Sequence, residues 1–337
     1  MVTVGIIGAG RIGKVHTTSI TTKLNNAKIK TIADPFMNDE TAAWAKSMGV
    51  ENAVKDYQEI LADPEIDAVL ICSSTDTHSI ISVEAIAAGK HVFCEKPIDH
   101  DTEKIKKVIA ALEGKKLKYQ VGFNRRFDHN FKAVKDTVSA GKIGDPHIIK
   151  ITSRDPEPPA PEYVKVSGGM FLDMTIHDFD MVRFLAGCDA EEVYVEGAVL
   201  VDPEIGKAGD VDTAVITLKM ENGAIAVIDN SRKAVYGYDQ RAEVFGSKGM
   251  VATANDTNSS AVLSTESGIT GEKPLYFFLE RYLDSFANEV TEFINAIEND
   301  TETPLGVTDG LKPVLMGLAA QKSLEEHRPV KISEITM

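Results

Sequence analysis

The sequence predicts an α/β protein in two parts, a doubly wound parallel sheet followed by an α/β domain built on a mainly antiparallel sheet. Three observations carry this. From Val2 to Phe123 short apolar runs alternate with amphipathic stretches, the pattern of βαβ units. A full G-x-G-x-x-G, Gly8-Ala9-Gly10-Arg11-Ile12-Gly13, follows the first run and opens a helix. Beyond Glu192, strand-like runs succeed one another without helices between them. A chain of 337 residues also exceeds the size at which one core usually stops growing, so two domains are expected, 1–123 and 124–337.

Composition narrows the partners. The net charge is −15 and no basic block stands out, so neither nucleic acid nor an anionic membrane is expected, and the ligands should be small. The apolar run Val2 to Gly10 is short and broken by Arg11, which suits neither a secretion signal nor a membrane span. Cys72, Cys94 and Cys188 cannot all pair and lack metal-site spacing. Three free thiols in a cytoplasmic protein with no metal are expected, at least two of them buried in strands.

In the first part the near-continuous apolar runs are Val2 to Ile7, Ala27 to Ala33, Ile66 to Cys72, His91 to Cys94 and Leu117 to Phe123, which suggests strands covered on both faces. The glycines of the motif serve different ends. Gly8 permits the tight turn, Gly10 the close approach of a pyrophosphate, and Gly13 the packing of helix on sheet. The pyrophosphate would rest on the helix N-terminus, where N–H groups and the macrodipole favour anions. About 20 residues on, Asp34 closes the second run, where an acid accepts the adenosine ribose hydroxyls; otherwise it is a turn residue before Pro35. Two unit negative charges about 4 Å apart repel by roughly 4 kcal/mol at an effective dielectric near 20, so Asp34 should disfavour a 2′-phosphate and select NAD over NADP.

After Cys72 come Ser73, Ser74, Thr75 and His78, at the carboxyl end of the sheet where ligands of such folds bind. The small polar residues suit a cofactor's ribose and diphosphate, whereas His78 also suits a plain helix start. The run from His91 ends in Glu95-Lys96-Pro97, in the place of a nicotinamide, and the proline holds Lys96 extended.

The pattern changes past Gly122. Asn124 to Phe127 leads into a helix to Ala140, then a strand at Ile148 to Thr152, then a proline-rich loop from Arg154 to Pro161. Gly168 to Gly187 reads as one helix, with Asp173, His177 and Asp180 at i, i+4 and i+7 sharing a polar face on an otherwise apolar surface. A histidine bonded to its own helix-mate Asp173 would explain that face; so would a substrate. Glu192 to Val201, Val211 to Met220, Ala224 to Asn230 and Arg241 to Phe245 read as strands, with a tight hairpin at Glu221-Asn222-Gly223. Leu275 to Glu298 and Asp309 to Glu326 read as closing helices.

With Gly8-x-Gly10-x-x-Gly13, Glu95-Lys96-Pro97 and Asp173-x-x-x-His177 in order, the chain resembles the Gfo/Idh/MocA oxidoreductases along essentially its whole length, and among them the bacterial inositol 2-dehydrogenases. The closer match lies in Ile151-Thr-Ser-Arg-Asp-Pro, Gly168 to Asp180, and Tyr236-Gly-Tyr-Asp239. The resemblance implies a Rossmann domain followed by an α/β domain with an open antiparallel sheet whose exposed face builds a homotetramer. It implies NAD-dependent oxidation of myo-inositol to the 2-keto product, and it supports the positions of Lys96 and His177 as catalytic.

An alcohol that gives hydride to a nicotinamide also gives up its hydroxyl proton, which calls for a base with pKa near neutral. His177 is expected to take it. Asp173 either orients that imidazole or binds a neighbouring hydroxyl, and Lys96 stabilises the negative oxygen. Arg126, Asp155 and Tyr236 are candidates to hold an uncharged polyol, since only hydrogen bonds can do so. Arg126 would otherwise pair with an acid at the domain junction, Asp155 cap the proline loop, and Tyr236 pack. Tyr282 is a weaker candidate, and Asp178 and Asp180 are expected as structural partners, Arg183 among them. Rival readings are another inositol stereoisomer, a sugar such as glucose, or a non-catalytic NAD-binding regulator, which would be expected to lack the lysine or histidine.

Overall fold

Residues 1–335 are described by a computed structural model. In chain order the elements are β1 (Val2–Ile7), α1 (Arg11–Lys23), β2 (Ala27–Ala33), α2 (Asp39–Ser47), β3 (Asn52–Val54), α3 (Gln58–Ala62), β4 (Ala68–Ile71), α4 (Thr75–Ala87), β5 (His91–Glu95), α5 (Thr102–Leu112) and β6 (Tyr119–Gly122). There follow α6 (His129–Ser139), β7 (Pro146–Arg154), α7 (Pro161–Ser167), α8 (Ile176–Ala186), β8 (Ala190–Ala198), α9 (Pro203–Lys207), β9 (Thr213–Met220), β10 (Ile225–Ser231) and β11 (Asp239–Gly246). The chain closes with β12 (Gly249–Ala252), β13 (Val262–Thr265), β14 (Gly268–Gly271), α10 (Phe278–Arg281), α11 (Leu283–Glu298), α12 (Val307–Glu326) and β15 (Val330–Lys331).

The chain divides into two compact units. The first holds Met1–Phe127 with Leu283–Val314, the second Asp128–Tyr282 with residues 315–335. In the first, six strands run parallel in the order β3-β2-β1-β4-β5-β6, the doubly wound arrangement that the apolar runs predict. β1 and β4 are buried at every residue, as strands covered on both faces must be. The helix α11 belongs to this unit: Val290, Phe293 and Ile294 complete the core formed by Val4, Ile6, Ile20 and Phe93. A boundary placed by sequence pattern at 123/124 therefore leaves out a segment that returns from far along the chain to fill a hydrophobic face. β3 lacks a long apolar run because it is an edge strand of three residues, half-exposed.

The second unit is built on a seven-stranded sheet in the order β12-β11-β7-β10-β9-β8-β15. All its pairs are antiparallel except β7 with β10. β9 shows the period of two that one buried face requires: Ala214, Ile216, Leu218 and Met220 point inward, Val215, Thr217 and Lys219 outward. The helix α8 packs on β7 and covers the inward face.

Several expectations change here. Gly168 to Gly187 is not one helix. Gly168 and Gly169 adopt left-handed φ values of 85° and 72°, Met170–Met174 forms a π turn closed by the Thr175 N–H on the Met170 carbonyl at 2.9 Å, and only then does α8 begin. A turn closing over five residues spoils the i, i+4 stacking of an α-helix. Asp173 and His177 are half-buried, whereas Asp180, three residues beyond His177 in α8, lies inside, 1% exposed, so the three do not share one face. Gly187 does end α8 in the left-handed conformation, φ 73°. The proline loop gives way at Pro161 to α7, where a proline at the first helical position is pre-organised. The strands after α8 are interrupted by α9, started by Pro203 behind the Asp202 cap. Leu275 to Glu298 is broken at Tyr282, which separates α10 from α11. Of the thiols, Cys94 lies in β5, Cys72 just beyond β4 and Cys188 in a half-exposed turn; all three are free.

Candidate active site

The turn after β1 is shaped by backbone demands. Gly8 has φ +105°, and a Cβ there would meet the Cys72 carbonyl at 2.5 Å; a Cβ at Gly13 would stand 1.9 Å from the Gly8 carbonyl oxygen. Gly10 is different. It is exposed, nothing lies within 4 Å of where its Cβ would be, and it caps α1 without a side chain. Open space over an uncapped helix N-terminus, with Arg11 exposed and Ile12 half-buried beside it, fits a dinucleotide's diphosphate. Asp34 sits at the end of β2 with Oδ2 accepting from Ala9 N at 2.7 Å and Oδ1 from Phe36 N at 2.8 Å. It is thus the turn residue and is locked against the glycine loop, with a further lone pair on each oxygen for a ribose hydroxyl.

At the ends of β4 and β5 the polar residues separate. Ser73 Oγ bonds Thr77 Oγ1 at 2.7 Å, Ser74 caps α4 and Thr75 is its first residue. His78 is 2% exposed and its ring meets two backbone carbonyls, Nδ1 that of Pro97 at 2.8 Å and Nε2 that of Ser73 at 3.0 Å. Lys96 follows β5 and is half-buried. Glu95 points the other way: its Oε1 lies 2.6 Å from His16 Nε2 and its carboxylate lies against Gly122. Glu289 of α11 completes a buried cluster, its Oε1 4.0 Å from His16 Nε2, and neither of its oxygens has a hydrogen-bond partner among the described residues. Burial, and then the charge of Glu95, push the Glu289 carboxyl well above the usual range, which favours its protonated form. The sequence pattern gives no sign of this cluster, because His16, Glu95 and Glu289 are joined by the packing of α11 on α1. Arg126 lies 3.6 Å from Asp309, the acid partner anticipated for it.

In the second unit Asp173 stands in the π turn and His177 in the first turn of α8. The start of α8 is pinned to the sheet: Thr175 Oγ1 donates to Asn230 Oδ1 at 2.6 Å, and Asn230 Nδ2 donates to Asp178 Oδ2 at 2.9 Å. Asp173 is held by two donors, Tyr163 Oη to Oδ1 at 3.0 Å and Arg232 Nη2 to Oδ2 at 3.2 Å. The same guanidinium donates from Nη1 to Asp155 Oδ2 at 3.3 Å. Arg232 is 3% exposed; burial lowers its pKa, but Asp173, Asp155 and Asp210 outweigh that and keep it charged. Asp155 and Asp173, distant in sequence, are therefore brought together by an arginine that no sequence motif singles out. Its only signal is faint: a charged residue directly after β10, in Ser231-Arg232-Lys233.

The remaining candidates are placed as follows. Tyr236 donates to Asp239 Oδ2 at 2.6 Å and accepts from Arg154 Nη1 at 3.1 Å, in a network with Arg241 and Asn255. Tyr282 is buried edge-on to Tyr238 at 5.9 Å beneath the Arg281 guanidinium, which gives it a packing role. Arg183 bonds Asp189 at 2.7 Å and reaches Asp180 at 3.9 Å, whereas Asp178 serves Asn230.

The chain is similar to known proteins over nearly all of its length. Residues 2–123 match the oxidoreductase family with an NAD-binding Rossmann fold, and 131–252 match the GFO/IDH/MocA C-terminal domain. It is 49% identical to the myo-inositol 2-dehydrogenase of Thermotoga maritima, covering 98% of this chain and 99% of that one. It is 45% identical to the inositol 2-dehydrogenase of Rhizobium meliloti, covering 98% of each. Among solved structures, scyllo-inositol dehydrogenase from Lactobacillus casei with bound NAD(H) and scyllo-inositol superposes with a TM-score of 0.91 at 34% identity, covering 99% of both chains. This chain belongs to the Gfo/Idh/MocA family of NAD-binding oxidoreductases.

Proposed function

We propose that the protein oxidises myo-inositol to its 2-keto product with NAD. The observation that carries this reading is the cradle of the second unit, in which buried Arg232 fixes the carboxylate of Asp173, one turn before His177 in sequence, together with that of Asp155. Fixed acceptors of this kind suit a ligand made of hydroxyls and carrying no charge. The names of the Thermotoga and Rhizobium relatives point to the same substrate.

In this reading His177 takes the hydroxyl proton as the C–H bond breaks, and Lys96 donates to the oxygen as negative charge grows on it. NAD, when bound, accepts the hydride. Asp173, held by Tyr163 and Arg232, presents an oriented carboxylate to a neighbouring hydroxyl or to the imidazole; Asp155, Arg126 and Tyr236 bind other hydroxyls. Gly8, Gly10, Arg11, Ile12 and Gly13 take the diphosphate, Asp34 the ribose, and Ser73, Ser74 and Thr75 shape the remaining wall, with NAD preferred to NADP; His78 and Glu95, whose side chains bond interior groups, make no cofactor contact in this reading. Four adjacent strands carry a row of exposed apolar residues, Ile225, Ile148, Phe245 and Met250, which suits burial between copies in a homotetramer. No helix among the described residues is long and apolar enough to cross a membrane, and the free thiols fit a cytoplasmic role in inositol catabolism.

A panel of cyclic and linear polyols with NAD, followed by NADH absorbance, tests the substrate. Turnover confined to linear sugars sinks the inositol assignment. His177→Ala and Lys96→Ala should each lose most turnover and still bind NAD; near-normal turnover removes that residue from its role. Light scattering that gives the mass of one chain refutes the tetramer.

A further inference from the structure

His78 is buried to 2% exposure in α4, between the segment that follows β4 and the one that follows β5. Each ring nitrogen faces a backbone carbonyl oxygen, Nδ1 that of Pro97 at 2.8 Å and Nε2 that of Ser73 at 3.0 Å. A carbonyl oxygen has no proton to give, so each contact needs an N–H on the ring. Neutral imidazole has one N–H and imidazolium has two.

We propose that His78 is held as a buried imidazolium and is a positioning residue, its two N–H groups tying the carbonyl of Pro97, next to Lys96, to the carbonyl of Ser73. The titratable group against the ring is the Cys94 thiol of β5. Burial lowers the pKa of His78; negative charge on Cys94 and a hydrogen bond to its sulfur, and then the two carbonyl oxygens, oppose this and raise it to about 9. A buried charge of this kind is a poor way to gain stability, since an apolar side chain of similar volume would avoid the desolvation. What the cation supplies is two directed bonds across two segments, so the backbone on the C-terminal side of Lys96 has one place to be. The role rests on the reading that Lys96 stabilises the reacting oxygen; the charge state does not.

The full-length protein labelled with 15N-histidine tests both parts. Among its eight histidines, one buried ring should show two protonated nitrogens at pH 8, titrate near pH 9, and vanish from the spectrum of His78→Gln. If no histidine is doubly protonated at pH 8, the proposal falls without any variant. His78→Gln supplies one donor arm in place of two; its kcat should drop at least about tenfold while the Kd for NAD stays within about threefold, because a displaced catalytic group costs turnover before binding. A kcat within about twofold of the unaltered protein, or equal losses in kcat and NAD affinity, overturns the positioning role. Normal turnover in Lys96→Ala would instead overturn the catalytic reading and leave the spectroscopic result standing.

Discussion

Two glycines of the same loop should fail in opposite ways when each is changed to alanine. At Gly13 the new methyl would lie 1.9 Å from the Gly8 carbonyl oxygen. That oxygen is backbone and cannot rotate aside, so α1 must move off β1 by more than about 1 Å to restore normal contact. Overpacking of this kind costs about 1–3 kcal/mol and can exceed that. At about 2–4 °C per kcal/mol for a unit of this size, Gly13→Ala should melt roughly 5–10 °C lower. At Gly10 the methyl meets nothing within 4 Å, and φ −71° with ψ −165° suits alanine. Reduced freedom of the unfolded chain favours Gly10→Ala by about 0.4–1 kcal/mol, while alanine is a somewhat poorer N-cap than glycine, so the two effects nearly cancel.

The open space at Gly10 is where the diphosphate must reach the N–H groups of α1. A methyl group there lengthens charge-assisted bonds worth about 1.5–3 kcal/mol each, so a loss near 3 kcal/mol, or roughly a hundredfold in Kd, is expected. Thermal melts of the apoprotein and calorimetric titration with NAD separate the two quantities. Gly10→Ala that binds NAD within about threefold of the unaltered protein, or that loses as much stability as Gly13→Ala, would refute the assignment of space to ligand and contact to fold.

Two further changes probe the buried charges. Arg232→Met strands Asp155 and Asp173 without their shared cation and should cost about 3–5 kcal/mol in urea unfolding, whereas Arg232→Lys, which keeps the charge without the two-armed geometry, should fall between; equal stability of all three proteins denies the guanidinium its role. Glu289, whose folded pKa lies above its unfolded one, keeps its proton when the unfolded chain releases it, so its contribution is most favourable below the unfolded value and declines as pH rises from there towards the folded one. Glu289→Gln is neutral at every pH and should gain on the unaltered protein between pH 5 and pH 8, read as the difference between denaturant midpoints; a constant difference would mean that Glu289 is ionised in the fold.

The first unit is legible in the sequence because its determinants are local. The spacing of Gly8, Gly10 and Gly13, and the runs of strands buried on both faces, each lie within a few residues of one another. The long returns are not legible. α11 supplies Val290 and Phe293 to a core laid down some two hundred and fifty residues earlier, and no periodicity within α11 says where its apolar face docks. The π turn is hidden because the apolar positions Met170, Phe171 and Met174 suit either helix; only the neighbouring sheet, through Asn230 bonded to Thr175, distinguishes them. The candidate site is legible as single residues and not as an array. Asp155 and Asp173 both stand out in the sequence, but the residue that joins them lies in a strand end with nothing around it to mark it.

Glu95-Lys96-Pro97 shows how a short motif can be read only in part from its own letters. Consecutive residues of an extended chain point in opposite directions. Glu95, the last residue of β5, turns into the interior, where His16 takes its carboxylate at 2.6 Å. On the other side of Lys96 the Pro97 carbonyl is taken by His78 at 2.8 Å. The lysine is thus bracketed by two histidine contacts, one on the side chain before it and one on the backbone after it. The two contacts restrain the segment that carries Lys96, whereas the rotamer entropy of its side chain, about 2 kcal/mol, is left for its own partners to offset. Neither histidine has to touch substrate for its loss to lower turnover, and His78, whose ring meets only backbone carbonyls and a thiol, is the one whose charge can be measured apart from the chemistry it supports.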